Sequence, residues 1–225
     1  MKITSINSDL YQITAIKPQV KNSNRVNVFI DGKYSFSLDI AQLADLRPKV
    51  GQELTPSQLD NLKHASNFGK LYQRTLEWVL TRPRSIQETR NYLRRKQFEK
   101  NRPKPPQVNS EELSTEILER LISKGYLDDE KFAKFWVENR FAKKGISKKR
   151  MELELRKKGI SSQIITQVLA ETSRTDDAEI AKIIAKKRAK YAANPQKLIA
   201  LLTRQGFDYE SAKTAVQQTD SQNSA

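Results

Sequence analysis

Hydrophobic and polar positions change their rhythm once along this chain. Up to about residue 40 they alternate. "YQITAI" (11–16), "RVNVFID" (25–31) and "YSFSL" (34–38) each read as a half-buried strand. Asp31-Gly32 between the last two predicts a type I′ hairpin, because both turn residues must take positive φ. "LTPSQ" (54–58) predicts a helix start, with Thr55 as cap, Pro56 at the first helical position and Gln58 completing a capping box. Beyond residue 60 the period is helical to about Gln218. The interruption is "EKNRPKPPQVNSEE" (99–112), a proline-rich loop.

The helical part repeats itself. "SIQETRNYLRRKQF" (85–98), "SKKRMELELRKKGI" (147–160) and "NPQKLIALLTRQGF" (194–207) align without gaps. Each opens on a helix-capping residue: Ser85, Ser147 or Asn194. Thr89, Met151 and Leu198 stand four residues on, and Leu93, Leu155 and Leu202 eight on, so both positions share one buried face. Phe98, Ile160 and Phe207 close the pattern. Gly159 and Gly206 suit a left-handed ending, where the first copy has Gln97. Flanking helices are expected before these segments (about 68–81, 128–143 and 176–191) and after them (about 110–124, 161–172 and 208–218). The expected fold is therefore mainly α: three tandem copies of a three-helix repeat in an elongated array, with a small β-rich N-terminal region. The expected boundaries are 1–54 for the β-rich region and 55–109 for the first repeat with its linker, its third helix being 110–124. The second repeat is expected at 125–173, and the third at 174–225 with a polar tail.

Charge adds the next constraint. The 225 residues carry a formal +15, and the excess is uneven. Residues 1–60 hold 7 basic and 6 acidic side chains, and the remainder 34 and 20. A field of that size attracts polyanions such as nucleic acid, or an acidic protein groove. The bases recur around equivalent helices: Arg82, Arg84, Arg90, Arg94 and Arg95 in the first copy. The second has Arg140, Lys143, Lys144, Lys148, Lys149, Arg150, Arg156, Lys157 and Lys158, and the third Lys186, Lys187, Arg188, Lys190 and Arg204. Stacked repeats would align them into a stripe that contacts phosphates or acids without reading sequence. Each base taken singly also serves as a solvated helix face or a complement to a helix C-terminus. The aromatics Trp78, Trp136, Phe132, Phe135, Tyr126, Phe98 and Phe207 read as core rather than as a stacking platform.

Catalytic chemistry finds no starting point. The single histidine, His64, reads as a surface or partly buried helix residue without an acidic neighbour in sequence. Phosphate-binding glycine loops and zinc motifs are absent from the sequence. The acids Asp128, Asp129 and Glu130 read as the start of a helix, with Asp128 as N-cap. No catalytic residue, metal site or cofactor is expected, and an enzyme is not. No cysteine occurs, which fits a reducing compartment. Neither a membrane span nor a signal peptide is evident, so a cytoplasmic protein is expected.

"GYLDDEKFAKFWVENR" (125–140) followed by "GISKKRMELELRKKGI" (145–160) resembles the central signature of the RecX family, regulators of the RecA recombinase. The matching positions include Gly125, Tyr126, Leu127, Asp128, Asp129, Phe132, Trp136, Arg140, Gly145, Arg150, Met151, Glu154, Leu155, Lys158 and Gly159. "RPRSIQE" (82–88) resembles the first-repeat motif, with Thr89 where leucine is usual. The resemblance implies a helical-repeat protein that binds RecA–DNA filaments, inhibits their ATPase and strand exchange, and serves DNA repair, recombination and the SOS response. It also implies binding of single- or double-stranded DNA without strong sequence preference; separately, a monomer is expected. The competing reading is a DNA-binding repeat protein that acts without a recombinase. The N-terminal sheet is read either as a cap on the array or as a partner site.

Overall fold

The computed structural model describes residues 10–20, 22–97, 110–143, 145–191 and 193–221. They fall into two compact units. One runs up to Leu80 and includes Tyr92–Leu121; the other is Thr81–Asn91 with the chain from Ile122 on.

In the first unit, β1 (Tyr11–Pro18), β2 (Arg25–Ile30), β3 (Lys33–Asp39) and β4 (Glu53–Leu54) form an antiparallel sheet in the order β3-β2-β1-β4. Alternation decides the faces: Val26, Val28 and Ile30 are buried with Ile13, Phe36, Leu38 and Leu54. Asp31 and Gly32 have φ of 49° and 78°, the two positive values that the hairpin turn demands. A short helix α1 (Ile40–Leu46), not foreseen, starts at Asp39, whose side chain accepts from the Gln42 backbone N–H while Gln42 answers the Asp39 N–H.

The helix α2 (Pro56–Leu80) is longer than the sequence suggested. Thr55 and Gln58 form the capping box, and the chain then stays helical through the segment expected to begin near residue 68. Gly69 does not break it. It is buried where a Cβ would collide with the Gln42 side chain. Trp78 stacks on Tyr92 with ring centroids 4.3 Å apart, fixing α2 to α3 (Ile86–Gln97). His64 is partly buried with Nε2 3.6 Å from Glu116 on α4 (Ser110–Ser123), an acidic neighbour supplied by a distant segment. Because α4 begins at Ser110, it takes the last three residues assigned to the proline-rich loop. The rest of that loop, Phe98 and the Gln97 side chain lie outside the described residues.

In the second unit the helices are α5 (Asp129–Lys143), α6 (Lys148–Lys157), α7 (Ser162–Glu171), α8 (Asp176–Tyr191), α9 (Pro195–Arg204) and α10 (Tyr209–Ser221). One core holds Phe132, Val137, Met151, Leu155, Ile160 and Val168; another holds Ile180, Ile184, Leu198, Leu202, Phe207 and Val216. The positions four and eight residues beyond each cap are buried in all three copies. Thr89 fills its place among apolar counterparts because its hydroxyl donates 3.0 Å back to the Ser85 carbonyl, satisfying the one polar atom it buries. Asp128 caps α5 by accepting from the Glu130 and Lys131 backbone N–H groups, which hold its carboxyl below the usual range against a smaller effect of burial. Four of the described aromatics depart from the core reading, Trp78 and Phe135 being partly buried like Trp136. Tyr126 is 43% exposed, and Trp136 is only partly buried, at the edge of the core.

Candidate anion-binding surface of the helical repeats

The repeats join by a common set of hydrogen bonds. Ser85 caps α3, accepting from the Glu88 N–H, and its hydroxyl donates 2.7 Å to the carbonyl of Lys158 at the end of α6. Ser147 caps α6, accepting from the Arg150 N–H, and donates 3.3 Å to the carbonyl of Gln205 at the end of α9. The first N–H of α3, at Ile86, donates 2.9 Å to Asp129, and the first of α6, at Lys148, donates 2.9 Å to Asp176. Each middle helix thus meets the C-terminus of the next head to tail. Its orphan N–H groups are completed by an acid that opens the following repeat. Gly159 and Gly206, with φ of 80° and 92°, make the approach possible, because a Cβ at either would run into Gln87 or Ser147 respectively.

The two junctions share this framework and differ in charge. At the first, Glu88 receives Lys158 Nζ at 2.6 Å and the Arg82 guanidinium at 3.3 Å. Burial alone would raise the Glu88 carboxyl, but the bonds from Lys158 and Arg82 prevail and hold it below its ordinary value. Lys158 also lies 4.7 Å from the centroid of the Trp136 ring. The Trp136 Nε1 donates 3.3 Å to Glu154, which takes Arg140 in two bonds of 2.9 and 2.7 Å. Burial of Glu154 is likewise outweighed, first by Arg140, so its carboxyl is also held low, and Arg140 is raised in return by that bond. Asp129 differs: burial raises it, against the bond from Ile86.

Several of the expected contact residues are therefore engaged within the protein. Arg82 and Lys158 serve Glu88, Arg140 and Arg150 serve Glu154, and Arg156 pairs with Glu152 at 2.6 Å. Arg84 donates to Thr81. Arg90, Arg94 and Arg95 are exposed on α3, the last two belonging to the first unit. Lys186, Lys187 and Lys190 are exposed on α8 and Arg188 is half-buried. The Lys143 side chain and all of Lys144 lie outside the described residues.

At the second junction the chemistry is different. The position of Glu88 is taken by Arg150 and that of Lys158 by Gln205, so the framework stands without the ion pair. A groove of about 450 Å³ opens there between α6 and the end of α9. Among the described residues Lys149, Arg150, Lys157 and Arg204 line it, with Glu154 as the one carboxylate and Leu153 and Phe207 as apolar wall. Arg150 is held by the Arg204 carbonyl at 2.5 Å and by Glu154. Among the described residues Lys149 and Lys157 have no carboxylate partner, so their ammonium groups are available to an outside anion. The residues that sequence reasoning missed are the acids: Glu88 and Glu154 as counter-ions, and Asp129 and Asp176 as junction acceptors. The recurrence of Asp129 and Asp176 at the start of successive repeats was the available signal.

Comparison with known proteins agrees with this architecture. Residues 11–55 match the family model described as the regulatory protein RecX N-terminal domain, and 128–169 that of the RecX second three-helix domain. The chain is 32% identical over 219 residues to regulatory protein RecX of Listeria monocytogenes serotype 4b (strain F2365), covering 94% of this chain and 77% of that one. It is 30% identical over 217 residues to regulatory protein RecX of Bacillus licheniformis, covering 94% and 78%. A crystal structure of a regulatory protein RecX superposes with a TM-score of 0.69 at 25% identity, over 91% of this chain and 98% of that one. RecX from Lactobacillus salivarius, 22% identical, shares the fold with a TM-score of 0.55 over 69% and 98%.

Proposed function

The chain belongs to the RecX family of regulatory proteins, and on that premise we propose that it binds RecA recombinase–DNA filaments and inhibits their ATPase and strand exchange. The observation that carries the reading is the groove of the second junction, where four cations face one carboxylate. Such a surface accepts acidic side chains of a filament or phosphates of its DNA, and holds either without reading sequence. The ion pairs of the first junction keep Arg82, Arg140 and Lys158 for the fold, which concentrates partner contact on Lys149 and Lys157. The reading is of a cytoplasmic, monomeric regulator rather than an enzyme, in keeping with relatives that are named regulatory proteins. Among the described residues no helix is long and apolar enough to cross a membrane.

The experiment is a titration of the chain into RecA on single-stranded DNA with ATP. The ATPase rate is expected to fall, and Lys149→Glu with Lys157→Glu is expected to require at least about tenfold more protein for the same inhibition. An ATPase rate that stays level across the whole series with the unaltered chain refutes the reading. The same groove chemistry suits DNA alone. Tight, sequence-selective binding to duplex at physiological salt would favour a DNA-binding protein that acts without a recombinase.

A further inference from the structure

The N-terminal sheet has a second face, turned away from the core of its own unit. Val26, Val28 and Ile30 of β2 point into the core, so Arg25, Asn27 and Phe29 share the opposite face. An irregularity in the β2–β3 register sets Tyr34 opposite Phe29, and the rings meet edge to face with centroids 6.1 Å apart. Tyr34 is 54% exposed. Lys17 of β1, opposite Asn27, places its Nζ 5.6 Å from the centroid of the Phe29 ring. This face therefore presents aromatic surface beside a cation.

Beside the far end of β3, helix α2 brings up more cations. Ser66 of α2 donates 2.7 Å to the Ser37 carbonyl, and Arg25 Nη2 donates 2.9 Å to the same oxygen and 3.3 Å to the Ser37 hydroxyl. Lys70 and Arg74 follow Ser66 at successive steps of four on α2, so all three lie along one side of that helix. Lys70 is half-buried. Burial, then the guanidinium groups of Arg25 and Arg74, lower its hold on a proton. Among the described residues neither Lys70 nor Arg74 has a carboxylate partner. Asp39 acts on Arg25, and its carboxylate is occupied in capping α1. Like charges gathered at a partly desolvated place are stabilised by an added anion, and Asp39 acts on Arg25 but not on Lys70.

We propose that this face binds single-stranded nucleic acid, with a backbone phosphate held by Arg25, Lys70 and Arg74 and a base stacked on Tyr34. The phosphate answers the three cations, and the base uses an exposed ring that an acidic peptide would leave idle. The site lies on the N-terminal unit and does not rest on the reading of the groove between α6 and α9.

The test isolates this face by working in a full chain carrying Lys149→Glu and Lys157→Glu. A labelled oligo(dT) is titrated by fluorescence anisotropy over a salt series, and a 5-iododeoxyuridine oligonucleotide is photo-crosslinked and mapped by mass spectrometry. Crosslinks are expected at Tyr34 or Phe29. Tyr34→Leu is expected to weaken binding by about fivefold or more, the loss of one stacked base. Lys70→Gln and Arg74→Gln are each expected to reduce the salt slope by about 0.7. Arg74 and Tyr34 are exposed, so their variants carry the test even where Lys70→Gln disturbs folding. Unchanged affinity and slope in the Arg74 and Tyr34 variants, or crosslinks confined to the helical repeats, would overturn the proposal. So would polyglutamate that competes as well as oligo(dT) while Tyr34→Leu binds normally, the signature of a protein-binding patch.

Discussion

Lys158 Nζ stands 2.6 Å from Glu88 Oε1, across a gap of 70 residues in sequence. The same lysine gives its carbonyl to Ser85 and its ammonium to the Trp136 ring. One residue thereby closes the first repeat junction at both ends of its side chain and backbone. Replacing either Lys158 with Met or Glu88 with Gln is expected to cost about 1–2 kcal/mol, since each removes a charge-assisted bond from a partly buried partner, with Arg82 left on Glu88 in the Lys158 variant. A double-mutant cycle by urea unfolding checks this. The double variant should cost clearly less than the two single costs added together.

Glu154 is expected to separate stability from anion affinity. Glu154→Gln removes the charge and one of the two acceptor oxygens that serve Arg140 and Trp136, and should cost about 2 kcal/mol. It also removes the only carboxylate that lines the groove of the second junction among the described residues, so DNA affinity should rise and its salt dependence steepen. Denaturation and DNA titration of one variant would then move in opposite directions.

The acid limb of stability is expected to depend on Glu88. Its carboxyl is held below the ordinary 4.5, so the stability it contributes is complete above that pH. That contribution is lost as pH falls through the lowered folded value. Asp129 has the opposite sign. Burial raises it above 3.8, so its protonation on acidification favours the folded state. Urea midpoints between about pH 5 and pH 3 should therefore fall less steeply in Glu88→Gln and more steeply in Asp129→Asn than in the unaltered chain.

Gly125 and Gly159 offer a controlled comparison. Both have positive φ, 73° and 80°, but a Cβ at Gly125 meets open space while one at Gly159 meets the Gln87 side chain. Gly125→Ala should cost about 1 kcal/mol, the backbone penalty alone. Gly159→Ala should cost a further 1–3 kcal/mol or so from the clash at the junction. Equal losses in thermal or urea unfolding would mean that the junction gives way without resistance.

Much of this architecture was legible because its causes are local. Thr55 with Gln58, Ser147 and Asn194 each cap a helix by reaching only three residues along the chain, and Asp31-Gly32 turns the hairpin by its own backbone. The single helix from Pro56 to Leu80 was legible at its two ends and not in its continuity, and that Gly69 sits where a Cβ would meet the Gln42 side chain is a close approach that only the folded chain shows. The candidate surface was legible in composition and not in assignment. Arg140 and Lys157 look alike in sequence, yet one is bound twice by Glu154 and the other lines an open groove.

By itself the sequence determined the repeat, its buried faces, its caps and the sign of the field. Periodicity, cap chemistry and net charge are properties of short stretches or of simple sums. Only the tertiary structure decided which cations are neutralised, that Asp129 and Asp176 complete the helix starts of the preceding repeat, and that two equivalent junctions differ in charge. Those outcomes depend on groups 28 to 73 residues apart meeting within hydrogen-bonding distance, and a pairing of that kind exists only once the chain has folded.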